Sequence, residues 1–258
     1  VIIQYWHEEV PPEDVAAALE SFAQHNPGVP HVVFNRSTAA EFIAHRYGAR
    51  EADAFRTCAM PEMQADYLRC CAVHAFGGFY SDTDFRCRAG VGDLLAGPAP
   101  GVLFGRPFPA PKVLEDWYRW PYPVGPFAAI GNDMFAFRGP GHRLLELAIQ
   151  IATANIEHRI DAGRAGAWLV TGPGIFTSLY LLDRLGSTAA FLEYAAQSVL
   201  APSAELVCEA VGGQADGDGR LFDGLEVRPR KDIAAWAEVA KRSDGASTWF
   251  ASAGGLYR

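Results

Sequence analysis

The stretch Met63-Gln64-Ala65-Asp66-Tyr67-Leu68-Arg69-Cys70-Cys71-Ala72-Val73-His74-Ala75-Phe76-Gly77-Gly78-Phe79-Tyr80-Ser81-Asp82-Thr83-Asp84-Phe85-Arg86-Cys87-Arg88 reads as helix, turn and strand. Pro61, just ahead of it, suits the first turn of a helix, because its missing N–H is not needed there and its φ is already helical. Gly77 and Gly78 supply the stop, so the helix is expected from about Pro61 to Phe76. Asp66 and Arg69 are three residues apart on it and therefore share a face. Phe79 to Asp84 is short, aromatic and alternating, as a strand is. A side-chain period of two sends Tyr80, Asp82 and Asp84 to one side and holds two carboxylates together where the strand ends.

A carboxylate pair of this kind is a hard, oxygen-rich site suited to Mg²⁺ or Mn²⁺, ions that keep several waters and complete their shell with substrate phosphates. A metal diphosphate is its natural ligand. An Asp-x-Asp by itself says little, since about one arises by chance in a chain of this length and most are solvated turns. The ordered combination says more. Ala65-Asp66-x-x-Arg69, the Gly77-Gly78 stop and Tyr80-x-Asp82-x-Asp84 follow one another without a gap, and the whole pattern resembles the DXD sugar-transferase family, glycosyltransferase family 32. Relatives in that family include fungal initiating mannosyltransferases, bacterial capsular-polysaccharide transferases and, more remotely, the glucosylating domain of large clostridial toxins.

The 258 residues fit one domain over 1–258 with a sizeable core, half of them being apolar. A formal charge of −8 gives no basic footprint for nucleic acid or an anionic membrane surface. A phosphate-bearing ligand must then be held locally, and in an acidic chain a bound cation does this more readily than a broad Lys/Arg patch. The five cysteines, Cys58, Cys70, Cys71, Cys87 and Cys208, are odd in number and contain no CxxC, which fits a reducing compartment and a cytoplasmic location. No apolar run is long enough to cross a bilayer. The sequence opens at Val1 rather than at a methionine, which leaves room for a short leader ahead of it.

From the amino terminus, Val1 to Trp6 reads as a first buried strand and Glu13 to Gln24 as a helix, with Val15, Ala18, Leu19 and Phe22 at helical spacing. His31 to Phe34 is a second strand, followed by a helix to about Tyr47 for which Thr38 and Glu41 form the capping box. Strand, helix, strand, helix implies an α/β fold with a parallel sheet. Ligands of such sheets bind beyond the carboxyl ends of the strands, where Trp6, Asn35 and Asp84 emerge. Asn35 is a candidate base or ribose contact, though Asn after a strand is also ordinary turn chemistry.

Beyond the central stretch, Val91 to Leu95 reads as a short helix and Gly101 to Gly105 as a strand. Residues 107–126, with six prolines, fit a loop rimming the acceptor side. Phe127 to Phe137 reads as a strand broken near its middle at Gly131-Asn132-Asp133, a triple poorly suited to a strand interior. Helices are expected at Leu144 to Ile160, Ile175 to Leu185 and Thr188 to Gln197. Ala215 to Gly219 does not match the spacing of a calcium loop and reads as a solvated turn.

The resemblance carries further expectations. It implies a GT-A type fold, a mainly parallel nucleotide-binding sheet flanked by helices, with added helices and a carboxyl-terminal lid. The reaction it implies is retaining, metal-dependent transfer from a UDP- or GDP-linked sugar to a hydroxyl of a saccharide, protein or small-molecule acceptor. Trp6 stands where the family stacks a tryptophan on the base, with Ile3 in place of the usual histidine. Asp66 is expected toward the ribose or sugar, Arg69 toward the sugar or a phosphate, and Asn132 near the donor sugar with Asp133 beside it. Tyr80 and Asp82 also count among the nucleotide contacts. Asp84 is expected to hold the metal directly, with Asp82 acting through the ribose or a metal-bound water. Thr171-Gly172-Pro173-Gly174 is similar to a Thr-Gly-Pro of the family and equally reads as a plain N-cap. Ser247 and Trp249 match a Ser-x-Trp on the toxins' closing loop, the serine reaching the metal, although Gly245 replaces the expected asparagine.

Two other classes compete on residues alone. Haloacid-dehalogenase-type phosphoryl transfer also uses Asp-x-Asp after a strand, with the first Asp as nucleophile, but here Phe85 and Arg86 follow the pair where that class has a small residue and Thr or Val. A non-catalytic nucleotide-sugar-binding module would bind donor without releasing free nucleoside diphosphate. Walker A, HExxH and GxSxG patterns are absent from the sequence.

Overall fold

The computed structural model describes residues 1–107, 125–212 and 220–240. Strand β1 (Ile2–Tyr5) is wholly buried because parallel neighbours flank it on both sides, β2 (His31–Phe34) and β3 (Gly78–Ser81). Helix α1 (Glu13–His25) starts after Pro12 and buries Val15, Ala18, Leu19 and Phe22, the spacing read from the sequence. Helix α2 (Arg36–Arg46) follows β2 directly. Its capping box is Asn35 with Thr38, not Thr38 with Glu41. The strand ends at Phe34, so the helix must begin one residue later, and Asn35 is the side chain in place to accept from the Thr38 N–H at 2.9 Å. Glu41 instead accepts from Ser37. A helix the sequence reading did not anticipate, α3 (Ala49–Thr57), packs Ala52 and Phe55 into the core.

Helix α4 occupies Pro61–Phe76, as expected, with Pro61 in the first turn and Gly77 at the end. The glycine pair is required there. Gly77 and Gly78 have φ of 66° and 95°, and a Cβ on Gly78 would lie 2.3 Å from the Val1 carbonyl oxygen. The chain then turns back beneath α4 into β3.

The main sheet of the described residues has the order β2-β1-β3-β6-β5-β7, where β5 is Gly101–Pro107, β6 is Phe127–Phe137 and β7 is Glu226–Pro229. Only β6 runs against the rest: it is antiparallel to β3 and to β5, while β7 is parallel to β5. This is the mainly parallel α/β sheet that the fold expectation asked for. Side-chain alternation divides the interior in two. Ile3, Tyr80 and Phe135 face a core shared with α4, α6 (Arg143–Glu157) and α8 (Pro173–Leu185), and Ile2, Phe79 and Met134 face a smaller core with Phe22, Leu94 and Ile233. Leu94 belongs to the short helix α5 (Gly92–Ala96). Three shorter helices, α7 (Gly166–Val170), α9 (Thr188–Ala195) and α10 (Ala201–Val211), complete the described second half.

Two strand expectations are corrected. Strand β6 is continuous over eleven residues, so Gly131-Asn132-Asp133 does not break it. The irregularity falls on its pairing with β5, where register is lost between Leu103 and Gly105 as β6 passes from Phe135 to Ile130. Extra residues on one strand make a bulge, which re-aims side chains without ending the strand. Strand β3, in turn, ends at Ser81. Asp82, Thr83 and Asp84 form a turn into β4 (Phe85–Cys87), which pairs with β8 (Ala237–Val239) in a separate two-stranded sheet. The Asp82 N–H donates to the Asp133 carbonyl at 2.9 Å, and the Phe85 N–H reaches back to the Asp82 carbonyl at 3.4 Å. Asp-x-Asp is good turn chemistry, and strand alternation therefore does not govern the two carboxylates.

All five cysteines are free thiols, and no described helix is long and apolar enough to cross a membrane. Residues 108–124 of the 107–126 loop, the Ala215–Gly219 turn, Ser247 and Trp249 lie outside the described residues.

Candidate donor-binding site

The carboxyl ends of β1, β2, β3 and β7 open on one edge of the sheet, followed by Trp6, Asn35, Asp82 and Arg230 respectively. Because β6 is antiparallel to β3 and pairs Met134 with Ser81, Asn132 and Asp133 lie just past the end of β3 at that same edge. The topology thus gathers most of the predicted residues at one place.

Below the Asp82 turn is a sealed polar cluster. Asp66 is 0% and Arg69 1% exposed. The Arg69 Nη2 lies 2.7 Å from Asp82 Oδ1 and 3.2 Å from Asp66 Oδ1, while Nη1 donates to the Asn132 carbonyl at 2.7 Å and Nε to the Ala65 carbonyl at 3.2 Å. Its guanidinium sits 4.7 Å from the centre of the Tyr80 ring, and the Tyr80 hydroxyl donates to Asp82 Oδ1 at 2.9 Å. Asn132 Nδ2 donates to Asp66 Oδ1 at 3.0 Å, and the Thr171 hydroxyl to Asp66 Oδ2 at 3.3 Å. A surface i, i+3 ion pair is therefore excluded for Asp66 and Arg69. Their helix face points inward, and one planar fork spans both carboxylates, an arrangement a lysine does not reproduce.

Burial pushes the Asp66 carboxyl up to about 7, against the pull of Arg69, Asn132 and Thr171. Asp82 is raised well above the usual carboxylate range, again by burial, with Arg69 opposing and Asp84 and Asp133 adding repulsion. Asp82 still keeps 17% of its side chain exposed, and through it the sealed cluster meets the open edge.

On the outer side of the turn the groups differ. Asp84 is raised by burial and then by Asp133, while Arg230 and Arg69 hold it down. Arg230 pairs with Asp133, and its guanidinium lies 5.9 Å from the centre of the Phe85 ring. Asp84 Oδ1, Asp133 Oδ1 and Asn132 Oδ1 are buried atoms without a hydrogen-bond partner among the described residues. Such acceptors cost free energy unless a ligand or ion satisfies them. The set is all oxygen and acidic, which fits a hard divalent ion. Among the described residues no three His, Cys, Asp or Glu side chains form a ready-made metal cage.

Trp6 and Asn35, at the same edge, make local contacts of their own. Trp6 is 8% exposed and packs on Val15 and Leu19 of α1. The Asn35 side chain is engaged in the α2 cap. Thr171 joins the inner cluster, and Gly172 stands at the N-cap of α8 without a side-chain cap. The sequence reading missed Arg230 altogether. It begins a short 3₁₀ helix, Arg230–Ala235, after a strand of mixed polarity, and no periodicity marks it. The one signal available was an arginine after a proline-ended strand in an otherwise acidic chain.

Against known proteins, residues 12–97 match the family described as glycosyltransferase sugar-binding region containing DXD motif. This span holds Asn35, Asp66, Arg69, Tyr80, Asp82 and Asp84, and leaves Trp6, Asn132 and Asp133 outside it. No curated protein matches the chain. A solved structure named PaToxG Glycosyltransferase is similar at 13% identity over 92% of this chain and 87% of that one, with a TM-score of 0.48. Residues 12–97, which carry the DXD carboxylates to the carboxyl edge of a mainly parallel sheet, are thus similar to the sugar-binding region of DXD-motif glycosyltransferases.

Proposed function

We propose that the protein transfers a sugar from a UDP- or GDP-linked donor to a hydroxyl of a saccharide, protein or small-molecule acceptor, with retention of anomeric configuration and dependence on Mn²⁺ or Mg²⁺. The observation that carries this reading is the Asp82–Asp84 turn, where the buried oxygens of Asp84 and Asp133 have no described partner. Asp84 would hold the ion directly, Asp82 would act through the ribose or a bound water, and Ser247 would add a ligand from the carboxyl-terminal tail. A divalent ion held there would supply positive charge to the diphosphate leaving group, and with so few protein ligands phosphate oxygens and water would complete its shell.

The chain's own residues do the positioning. Arg69 fixes one oxygen of Asp82, and Tyr80 fixes it a second time. Asp66, Asn132 and Thr171 hold Arg69 and the bulge of β6 in register. The donor sugar then meets this wall at Asp82, with Asp66 and Arg69 behind it, Trp6 and Asn35 at the base and ribose end, and Trp249 closing from the tail. Fixed groups of this kind lower the barrier by being in place before charge develops.

The test is release of free nucleoside diphosphate from UDP- and GDP-sugars with Mn²⁺ present, with the anomer of any product read by NMR. Asp84→Asn should keep the fold and lower turnover about 100-fold. Wild-type rates in both Asp82→Asn and Asp84→Asn at limiting Mn²⁺ would sink the metal-site assignment. Donor binding without any release would return the protein to the class of binding modules.

A further inference from the structure

Two arginines among the described residues serve the Asp82–Asp84 turn, and they differ in exposure. Arg69 is 1% exposed and its fork is committed to Asp66, Asp82 and the Asn132 carbonyl. Arg230 is 29% exposed, and it opens the 3₁₀ helix at the carboxyl end of β7, on the ligand-binding edge of the sheet. Among the described residues its Nη1 donates to Asp133 Oδ2, and an arginine head carries five N–H donors. The guanidinium rests over Phe85, the residue after Asp84, with Asp133 at 13% exposure beside it. Asp133 keeps its other oxygen buried without a described partner.

Resting on the reading above, we propose that Arg230 is a cation of the donor site. It pairs with Asp133 and is placed to turn its fork to the donor diphosphate when a divalent ion is held by Asp84 and Asp133. A planar guanidinium pairs with phosphate oxygens through two parallel hydrogen bonds, and its position at the rim lets it do so without unpacking the core. The bland alternative is a tie that fastens the 3₁₀ helix to β6. The two differ in a sign. A tie helps every ligand by keeping the edge in shape. A cation that shares Asp133 with the metal competes with the metal when it is alone and cooperates with it when diphosphate is present.

The experiment is Mn²⁺ titration of the full chain by electron paramagnetic resonance, then UDP and GDP titration by calorimetry at saturating Mn²⁺, for wild type, Arg230→Gln and Arg230→Lys. In Arg230→Gln, Mn²⁺ alone should bind about fivefold more tightly, the low end of ordinary coupling between sites. The preferred nucleoside diphosphate should bind about tenfold more weakly. Arg230→Lys should leave Mn²⁺ affinity near wild type and still weaken the nucleotide, because the charge stays and the fork is lost. Unchanged or weaker Mn²⁺ binding in Arg230→Gln overturns the proposal, as does unchanged nucleotide affinity. Joint weakening of both ligands with a lowered melting temperature assigns Arg230 to the structural tie. Wild type that binds neither UDP nor GDP with Mn²⁺ overturns the donor reading itself, and this inference with it.

Discussion

The inner and outer sides of the Asp82–Asp84 turn are built from the same two chemical groups and behave differently. Inside, Arg69 lies between Asp66 and Asp82 with almost no water contact. Outside, Arg230 meets Asp133 where both touch solvent. Removing a group from water raises the strength of each pairing and also the penalty for losing one partner. The inner set is therefore structure that positions chemistry, and the outer set is chemistry held loosely enough to exchange partners.

The hardest way to break this contrast is Arg69→Met. It leaves Asp66 and Asp82 buried without their cation, and unfolding by urea should show a loss of about 3–5 kcal/mol. A loss under about 1 kcal/mol would mean that water already enters the inner cluster.

A second test uses pH. Asp66 is raised in the folded protein from an ordinary 3.8 to about 7, so the folded state holds its proton more tightly than the unfolded chain does. Its contribution is greatest at low pH and declines as pH rises from about 4 through about 7, then levels off. Asp82 adds to the same slope. Asp66→Asn keeps the shape without the titration, and its stability between pH 4 and 7 should fall less steeply than that of wild type. Parallel profiles would show that Asp66 is ionised throughout.

The smallest effect is expected at Arg50→Ala. Arg50 holds Glu157 in a two-pronged pair at 2.7 and 2.8 Å, as good in geometry as the inner one, but the two side chains are 57% and 42% exposed. Its loss should cost at most about 1 kcal/mol and diminish with added salt. A larger loss would put distance rather than burial in control.

Local punctuation made part of this molecule legible. Pro61 and Gly77 mark the ends of α4, and two short apolar runs mark β1 and β2, because each signal acts within a few residues. That Asp66 and Arg69 share one helix face and that Asp82 and Asp84 stand together was legible from their spacing. Their geometry was not, since the end of β3 depends on a hydrogen bond to Asp133, some fifty residues later. Helix α3 was missed because Ala49–Thr57 is short and mostly polar, with Ala52, Ala54 and Phe55 its buried residues. The capping box was misplaced by three residues because Asn35-x-x-Thr38 and Thr38-x-x-Glu41 both suit a helix start, and only the end of β2 chooses between them. Arg230 gave only a faint signal, since its position is set by where β7 joins the sheet.

The bond from the Ala240 N–H to the Asp84 carbonyl and the pairing of β8 with β4 give the turn a place in time. A chain leaving the ribosome has every inner partner in hand once Thr171 has emerged. The outer side waits for Arg230, 97 residues after Asp133, and for Glu238, 150 residues after its partner Arg88. Contacts so distant in sequence close late. A nascent chain therefore secures the buried cluster around Arg69 first and closes the outer side of the turn only once Arg230 and Glu238 have emerged.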